Sequence, residues 1–231
     1  MGVTADSGTA QCGLRALLFD FDGLLLDTES TEFRAWSEVY ERHGHVLEPA
    51  LWANAIGTIG GFDPVAHLAT LGVALDADAV VAQHLRNLDL CALELLRPGV
   101  AELLDEADRR SIATAVVSSS SRGWIVSHLE TRGLLERFAE LVTADGDPDR
   151  AKPRPTLYLE ALERLGVRAG EAIAFEDSPN GIAAATSAGI YCVAVPNAIT
   201  SALDLSRANL IVDSLDEIDL DALAPRCIDT S

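Results

Sequence analysis

Short apolar runs that end in an acid or a hydroxyl alternate with helical stretches along most of this chain, and that alternation limits its possible folds. Leu14-Arg15-Ala16-Leu17-Leu18-Phe19 is nearly continuous in apolar residues and stops at Asp20. Similar runs recur at 112–117, 172–175, 191–195 and 210–212, with a weaker one at 140–143. Runs of this length without polar alternation read as strands buried on both faces. The stretches 99–110, 121–133, 155–166 and 179–189 carry helical patterns bounded by Gly, Pro or Ser. Strand followed by helix, repeated, predicts an α/β fold with a parallel sheet covered by helices on both sides.

One segment breaks the pattern. Between about Asp27 and Leu96 the chain reads as helix only, over 30–43, 49–56, 63–71 and 76–96. The expected organisation is a tail at 1–13, an α/β core from 14–26 and 97–231, and a small all-α insert at 27–96. Such an insert leaves the first strand at its C-terminal end, the edge where open α/β sheets bind ligands, so it is placed to act as a lid.

The residues at the strand ends carry chemistry. Asp20-Phe21-Asp22-Gly23 sets two carboxylates around one residue, a pattern suited to a nucleophile and a general acid/base neutralised by a cation. The plainer reading is a turn, which Asp and Gly also favour. The run 112–117 ends in Ser118-Ser119-Ser120-Ser121, where a hydroxyl ahead of a helix suits a phosphate oxygen or simply caps the helix. Lys152 is the single lysine among 17 basic residues. A compact ammonium fits among several oxygens where the planar arginine fork does not. Glu176-Asp177-Ser178-Pro179 closes the fourth run with a second acidic pair, hard ligands for Mg²⁺ or a helix cap. All four sets fall at one predicted sheet edge. A dianionic phosphate there needs a divalent cation, an ammonium and amide donors together.

Taken in order, Phe19-Asp20-Phe21-Asp22-Gly23 through Asp27-Thr28-Glu29, Val117-Ser118-Ser119, Lys152-Pro153 and Phe175-Glu176-Asp177-Ser178-Pro179-Asn180-Gly181 resemble the motifs of the haloacid dehalogenase superfamily. The likeness is greatest to its phosphatases and β-phosphoglucomutase-like members with a helical cap, and it covers nearly everything after the tail. The resemblance implies a Rossmann-like parallel sheet with an inserted cap and a Mg²⁺ cofactor. Asp20 would attack phosphorus and form an aspartyl-phosphate; Asp22 would protonate the leaving alcohol and then activate water. Asp20, the Asp22 carbonyl, Asp177 and Glu176 would hold the metal, and Ser118, Ser119 and Lys152 the phosphate. The alternative within the family is a mutase that passes the phosphoryl group to a sugar. Two features depart from that pattern. Glu32 stands where β-phosphoglucomutases place a histidine, and the early cap loop Gly57-Thr58-Ile59-Gly60-Gly61 lacks the arginine that grips a distal phosphate.

Charge narrows the partners. A formal net charge of −19 disfavours nucleic acid and anionic lipid, and it would also repel a phosphate ester unless local cations and amides offset it; a small phosphate ester is the partner that the resemblance implies. The insert holds eleven acids against three arginines, so the group beneath it is expected to lack a second phosphate; a sugar or polyol monophosphate fits. Glu32, Trp36 and Thr58 are the candidate specificity residues. The five histidines show no ligand spacing, and the four cysteines are scattered. With no signal-like apolar run, a cytoplasmic protein is expected, a monomer or weak homodimer.

Overall fold

The computed structural model describes residues 13–53 and 56–224; the expected tail lies outside them except for Gly13. In chain order the elements are β1 (Ala16–Phe19), α1 (Thr28–Arg42), α2 (Pro49–Trp52), α3 (Pro64–Thr70), α4 (Ala77–Ala92), α5 (Val100–Arg109), β2 (Ala113–Ser118), α6 (Arg122–Thr131), β3 (Glu140–Thr143), α7 (Thr156–Leu165), β4 (Ala172–Glu176), α8 (Pro179–Ser187), β5 (Tyr191–Ala194), β6 (Leu210–Ile211) and α9 (Leu220–Leu223). All six strands pair in parallel in the order β3-β2-β1-β4-β5-β6, with Leu18 of β1 opposite Ala115 on one side and Ala174 on the other.

The period of two along each strand sorts residues to opposite faces. Leu17 and Phe19 face a layer with Leu103 and Leu104 of α5 and Ile125 and Leu129 of α6. Ala16 and Leu18 face Leu157 and Tyr158 of α7 and Ile182 and Ala184 of α8. The two-sided cover explains why the strands read as unbroken apolar runs.

Helix starts follow local capping. The side chains of Asp27, Asp63, Asp76, Ser121 and Ser178 accept backbone N–H bonds at the first turns of α1, α3, α4, α6 and α8. Two insert helices are shorter than the sequence suggests. α2 ends at Trp52, and residues 54–55 of the expected helix lie outside the described residues. The chain leaves α4 after Ala92 because Leu96 must pair antiparallel with Leu26 as the chain returns to the sheet. The insert has an apolar cluster of its own, with Trp36, Val39, Tyr40, Trp52 and Leu68.

Candidate active site

β1 lies mid-sheet, and its end delivers Asp20 to the C-terminal edge, where the Asp20 N–H donates to Phe175 O at 3.0 Å. Gly23 then turns the chain at φ +81°; a Cβ there would stand 2.2 Å from Asp177 Oδ2, so only glycine permits both the turn and the close approach. Lys152, on the loop between β3 and α7, is 1% exposed. Its Nζ donates to Asp20 Oδ1 and lies 2.7 Å from Glu176 Oε1. Burial works against its charge, but Asp20 and Glu176 outweigh it and hold the ammonium protonated, its pKa above the usual lysine range. Asp20 itself is raised well above the ordinary carboxylate range, first by burial and then by Glu176 and Asp177, against the pull of Lys152. Tyr158 donates its hydroxyl to Glu176 Oε1 from beneath.

Asp20, Glu176 and Asp177 each bring a carboxylate oxygen within 4.8 Å of the others'. Two buried oxygens of the group, Glu176 Oε2 and Asp177 Oδ1, have no hydrogen-bond partner. Burial and then the Glu176 charge push Asp177 up to about 7. Orphaned oxygens in an anionic cluster with a single ammonium fit a hard divalent cation such as Mg²⁺. The remaining Asp177 oxygen, Oδ2, accepts from Asn197 Nδ2 at 2.8 Å. Glu29 adds a further carboxyl beside Asp177, with Oε2 unpartnered and its pKa raised well above normal by burial and by that neighbour.

Asp22 stands at the cleft with three donors around it. Thr28 Oγ1 and Trp124 Nε1 donate to Oδ1 at 2.7 and 2.8 Å, and Ser120 Oγ donates to Oδ2. These bonds tie the carboxylate to α1, to α6 and to the loop after β2 at once, which fixes its orientation toward the cleft.

That constellation of strand-end carboxylates and lysine coincides with a match to the haloacid dehalogenase-like hydrolases over residues 14–189. The chain belongs to this family. The Bacillus subtilis protein YhcW is 39% identical over 90% of this chain and 94% of its own length. The validoxylamine A 7'-phosphate phosphatase of Streptomyces hygroscopicus subsp. limoneus is 33% identical over 88% of this chain and 95% of its own. The solved structure of a CbbY mutant from Rhodobacter sphaeroides, in complex with xylulose-(1,5)bisphosphate, superposes with a TM-score of 0.70 at 28% identity, covering 88% of this chain and 96% of the other.

In this haloacid dehalogenase-like hydrolase a cleft of about 430 Å³ runs between the sheet edge and the insert. Asp20, Asp22, Ser118, Ser119, Glu32 and Thr58 line it. The Ser118 hydroxyl accepts from Ser120 N at 3.0 Å, which leaves its own O–H to donate. Ser119 lines the cleft and also bridges insert and core: its hydroxyl donates to Gly57 O at 3.1 Å and accepts from Lys152 N at 3.2 Å. Thr58 likewise donates to Lys152 O at 2.8 Å. Trp36 lies off the cleft lining and is buried in the insert's apolar cluster, where a large indole on a helix's inward face is most readily desolvated. Glu32 faces the cleft, its carboxyl pushed up to about 7 by burial and by Asp22. Sequence reasoning gave no role to Ser120 or Thr28, though both lie inside motifs it singled out. It had no signal for Trp124, Tyr158 or Asn197, which reach the site only through the fold.

Proposed function

We propose that this hydrolase is a Mg²⁺-dependent phosphatase that releases phosphate from a small sugar or polyol monophosphate through an aspartyl-phosphate on Asp20. The observation that carries the reading is the buried cluster of Asp20, Lys152, Glu176 and Asp177 at one sheet edge, opening into a cleft with Asp22 at its wall. A relative named as a phosphatase over nearly its whole length agrees with it.

Asp20 attacks phosphorus, and the bond from phosphorus to the ester oxygen breaks. Asp22 gives its proton to the departing alkoxide, so an alcohol leaves. Asp22, now a carboxylate, takes a proton from water as that water attacks the phosphorus of the acyl phosphate. The P–O bond to Asp20 breaks, inorganic phosphate leaves, and both acids return to their starting forms. Lys152 and the Ser118 hydroxyl hold phosphate oxygens through both halves. Asp20, the Asp22 carbonyl, Asp177 and Glu176 would hold Mg²⁺, which when bound offsets charge between the phosphate and the carboxylates. The helical insert at 27–96 acts as the lid that excludes bulk water.

Apart from Lys152, buried behind Asp20, no Lys or Arg among the described residues stands at the cleft. A second phosphate would meet Glu32 and find no cation, which favours a monophosphate ester over a bisphosphate and hydrolysis over a mutase cycle through one. Cys91 and Cys192 are buried free thiols, which suits a reducing compartment such as the cytoplasm.

The test is phosphate release across sugar, nucleotide and short-acid phosphates with Mg²⁺ or chelator. Release from a sugar or polyol monophosphate that stops with chelator and with Asp20→Asn supports the reading. Undiminished release by Asp20→Asn, or a bisphosphate preferred over every monophosphate, overturns it.

A further inference from the structure

Glu32 projects from α1 into the cleft as a half-buried acid, and among the described residues it has neither a hydrogen bond nor an ion pair. Leaving a carboxylate uncompensated in such a place is costly. Five side-chain donors of the cleft lining are already engaged elsewhere. Thr28, Ser120 and Trp124 already donate to Asp22, and the hydroxyls of Thr58 and Ser119 donate to carbonyls. Among the described residues the only basic side chain on the lining, His84, sits exposed. Glu32 is thus placed to take a partner from the substrate, from the alcohol half beneath the insert.

We infer that this partner is an ammonium group, and that the substrate class is the monophosphate of an amino alcohol, such as an amino sugar or an aminated polyol. A hydroxyl would satisfy the hydrogen bond alone. A cation also offsets the repulsion between Glu32 and Asp22, which share the cleft wall. It suits the field as well: the chain carries a formal −19, so a zwitterionic ester is repelled less on approach than a plain phosphate dianion.

The inference rests on the phosphatase reading above, and the experiment separates the two. Phosphate release is measured with Mg²⁺ for two matched pairs, glucosamine 6-phosphate with glucose 6-phosphate, and phosphoethanolamine with 2-hydroxyethyl phosphate, beside p-nitrophenyl phosphate. The readout is the amine-to-hydroxyl ratio of kcat/KM within each enzyme, which cancels any general loss in a variant. The parent is expected to favour the amine by at least about tenfold in a pair it turns over, as a charge-assisted hydrogen bond provides. In Glu32→Gln the ratio falls to about one. A ratio near one in the parent overturns the inference, and this arm stands alone if the variant is unstable. A ratio unchanged by Glu32→Gln overturns it too. Turnover of p-nitrophenyl phosphate with none of either amine ester sinks the inference and leaves the phosphatase reading standing. No release from any ester sinks both.

Discussion

Lys152 is the residue on which the buried charges balance. Its ammonium sits between Asp20 Oδ1 and Glu176 Oε1, with the Tyr158 ring centroid 5.6 Å away. Lys152→Arg keeps the charge but forces a planar fork into a space shaped for a point, so phosphate release should fall at least about a hundredfold. Lys152→Met removes the cation from two buried carboxylates; urea unfolding at pH 8 in chelator should show a loss of about 3–5 kcal/mol, partly recovered by Mg²⁺. Stability within about 1 kcal/mol of the parent would show that the pair needs no cation. His128 offers a second residue-scale test. It packs edge-on against Trp124, centroids 4.1 Å apart, and so supports the indole that donates to Asp22. Burial, and then Arg132, lower its pKa below the ordinary 6.5. In the unfolded chain it binds a proton near 6.5, while the folded form resists until lower pH. Its contribution is therefore full above that value and is lost as acid approaches the folded pKa. Against a His128→Gln variant, the parent's advantage in Tm should shrink from pH 7 to pH 5; a constant difference would refute the neutral, buried imidazole.

At the scale of elements, the first turn of α8 is built against the Glu176 carboxylate. Ser178 caps the helix by accepting from Gly181 N at 3.2 Å. A Cβ on Gly181 would fall 1.8 Å from Glu176 Oε2. Glu176 has no free direction to yield, because Tyr158 and Lys152 hold its other oxygen. Gly181→Ala should therefore lower Mg²⁺ affinity about 10–100-fold by titration calorimetry, with about 1–3 kcal/mol of stability lost to overpacking. Unchanged affinity would mean that Glu176 does not face the ion. Such packing explains what was legible beforehand. Strands buried on two faces announce themselves through unbroken apolar runs, and β3 falls at 140–143 as read. Helices with Asp or Ser caps were placed to within a few residues of their starts. The strand-end acids and Lys152 were legible because each ends or follows an apolar run. The place of Trp36 in the apolar cluster is not legible in the sequence, because an aromatic on an amphipathic helix looks alike whether it faces a cleft or a core. Ser119 and Thr58 look like ligand hydroxyls until the insert is folded down and their acceptors, Gly57 O and Lys152 O, come into reach. Asn197 stands 20 residues from the Asp177 it contacts, with no local pattern to mark it.

Across the whole molecule, insert and core meet through a few polar bonds beside the apolar contacts of Ile59 with the core and Ile199 with the insert, and the proposed lid motion would break and remake them. Asn180 Nδ2 donates to Ile56 O at 2.9 Å, Ser119 Oγ to Gly57 O at 3.1 Å and Thr58 Oγ1 to Lys152 O at 2.8 Å. Two of the three run through Ser119 and Lys152, so the contact between insert and core also holds the backbone of the lysine proposed to bind the phosphate. The linkers that stay fixed are of another kind. Leu96 pairs with Leu26, and Arg97 donates to Gly23 O, Val195 O and Pro196 O, anchoring the return strand whatever the insert does. Each closing bond contributes about 1 kcal/mol, so removing one should raise the open fraction roughly fivefold without unfolding either part. Thr58→Val preserves shape and removes only the hydroxyl. Fluorescence energy transfer between dyes on α3 and α9 should report a more open average in the variant, with kcat/KM for a sugar monophosphate falling several-fold more than for p-nitrophenyl phosphate, whose leaving group depends less on proton transfer and enclosure. If both esters lose activity equally while the dye distance stays fixed, Thr58 supports Lys152 alone and the insert closes by other means.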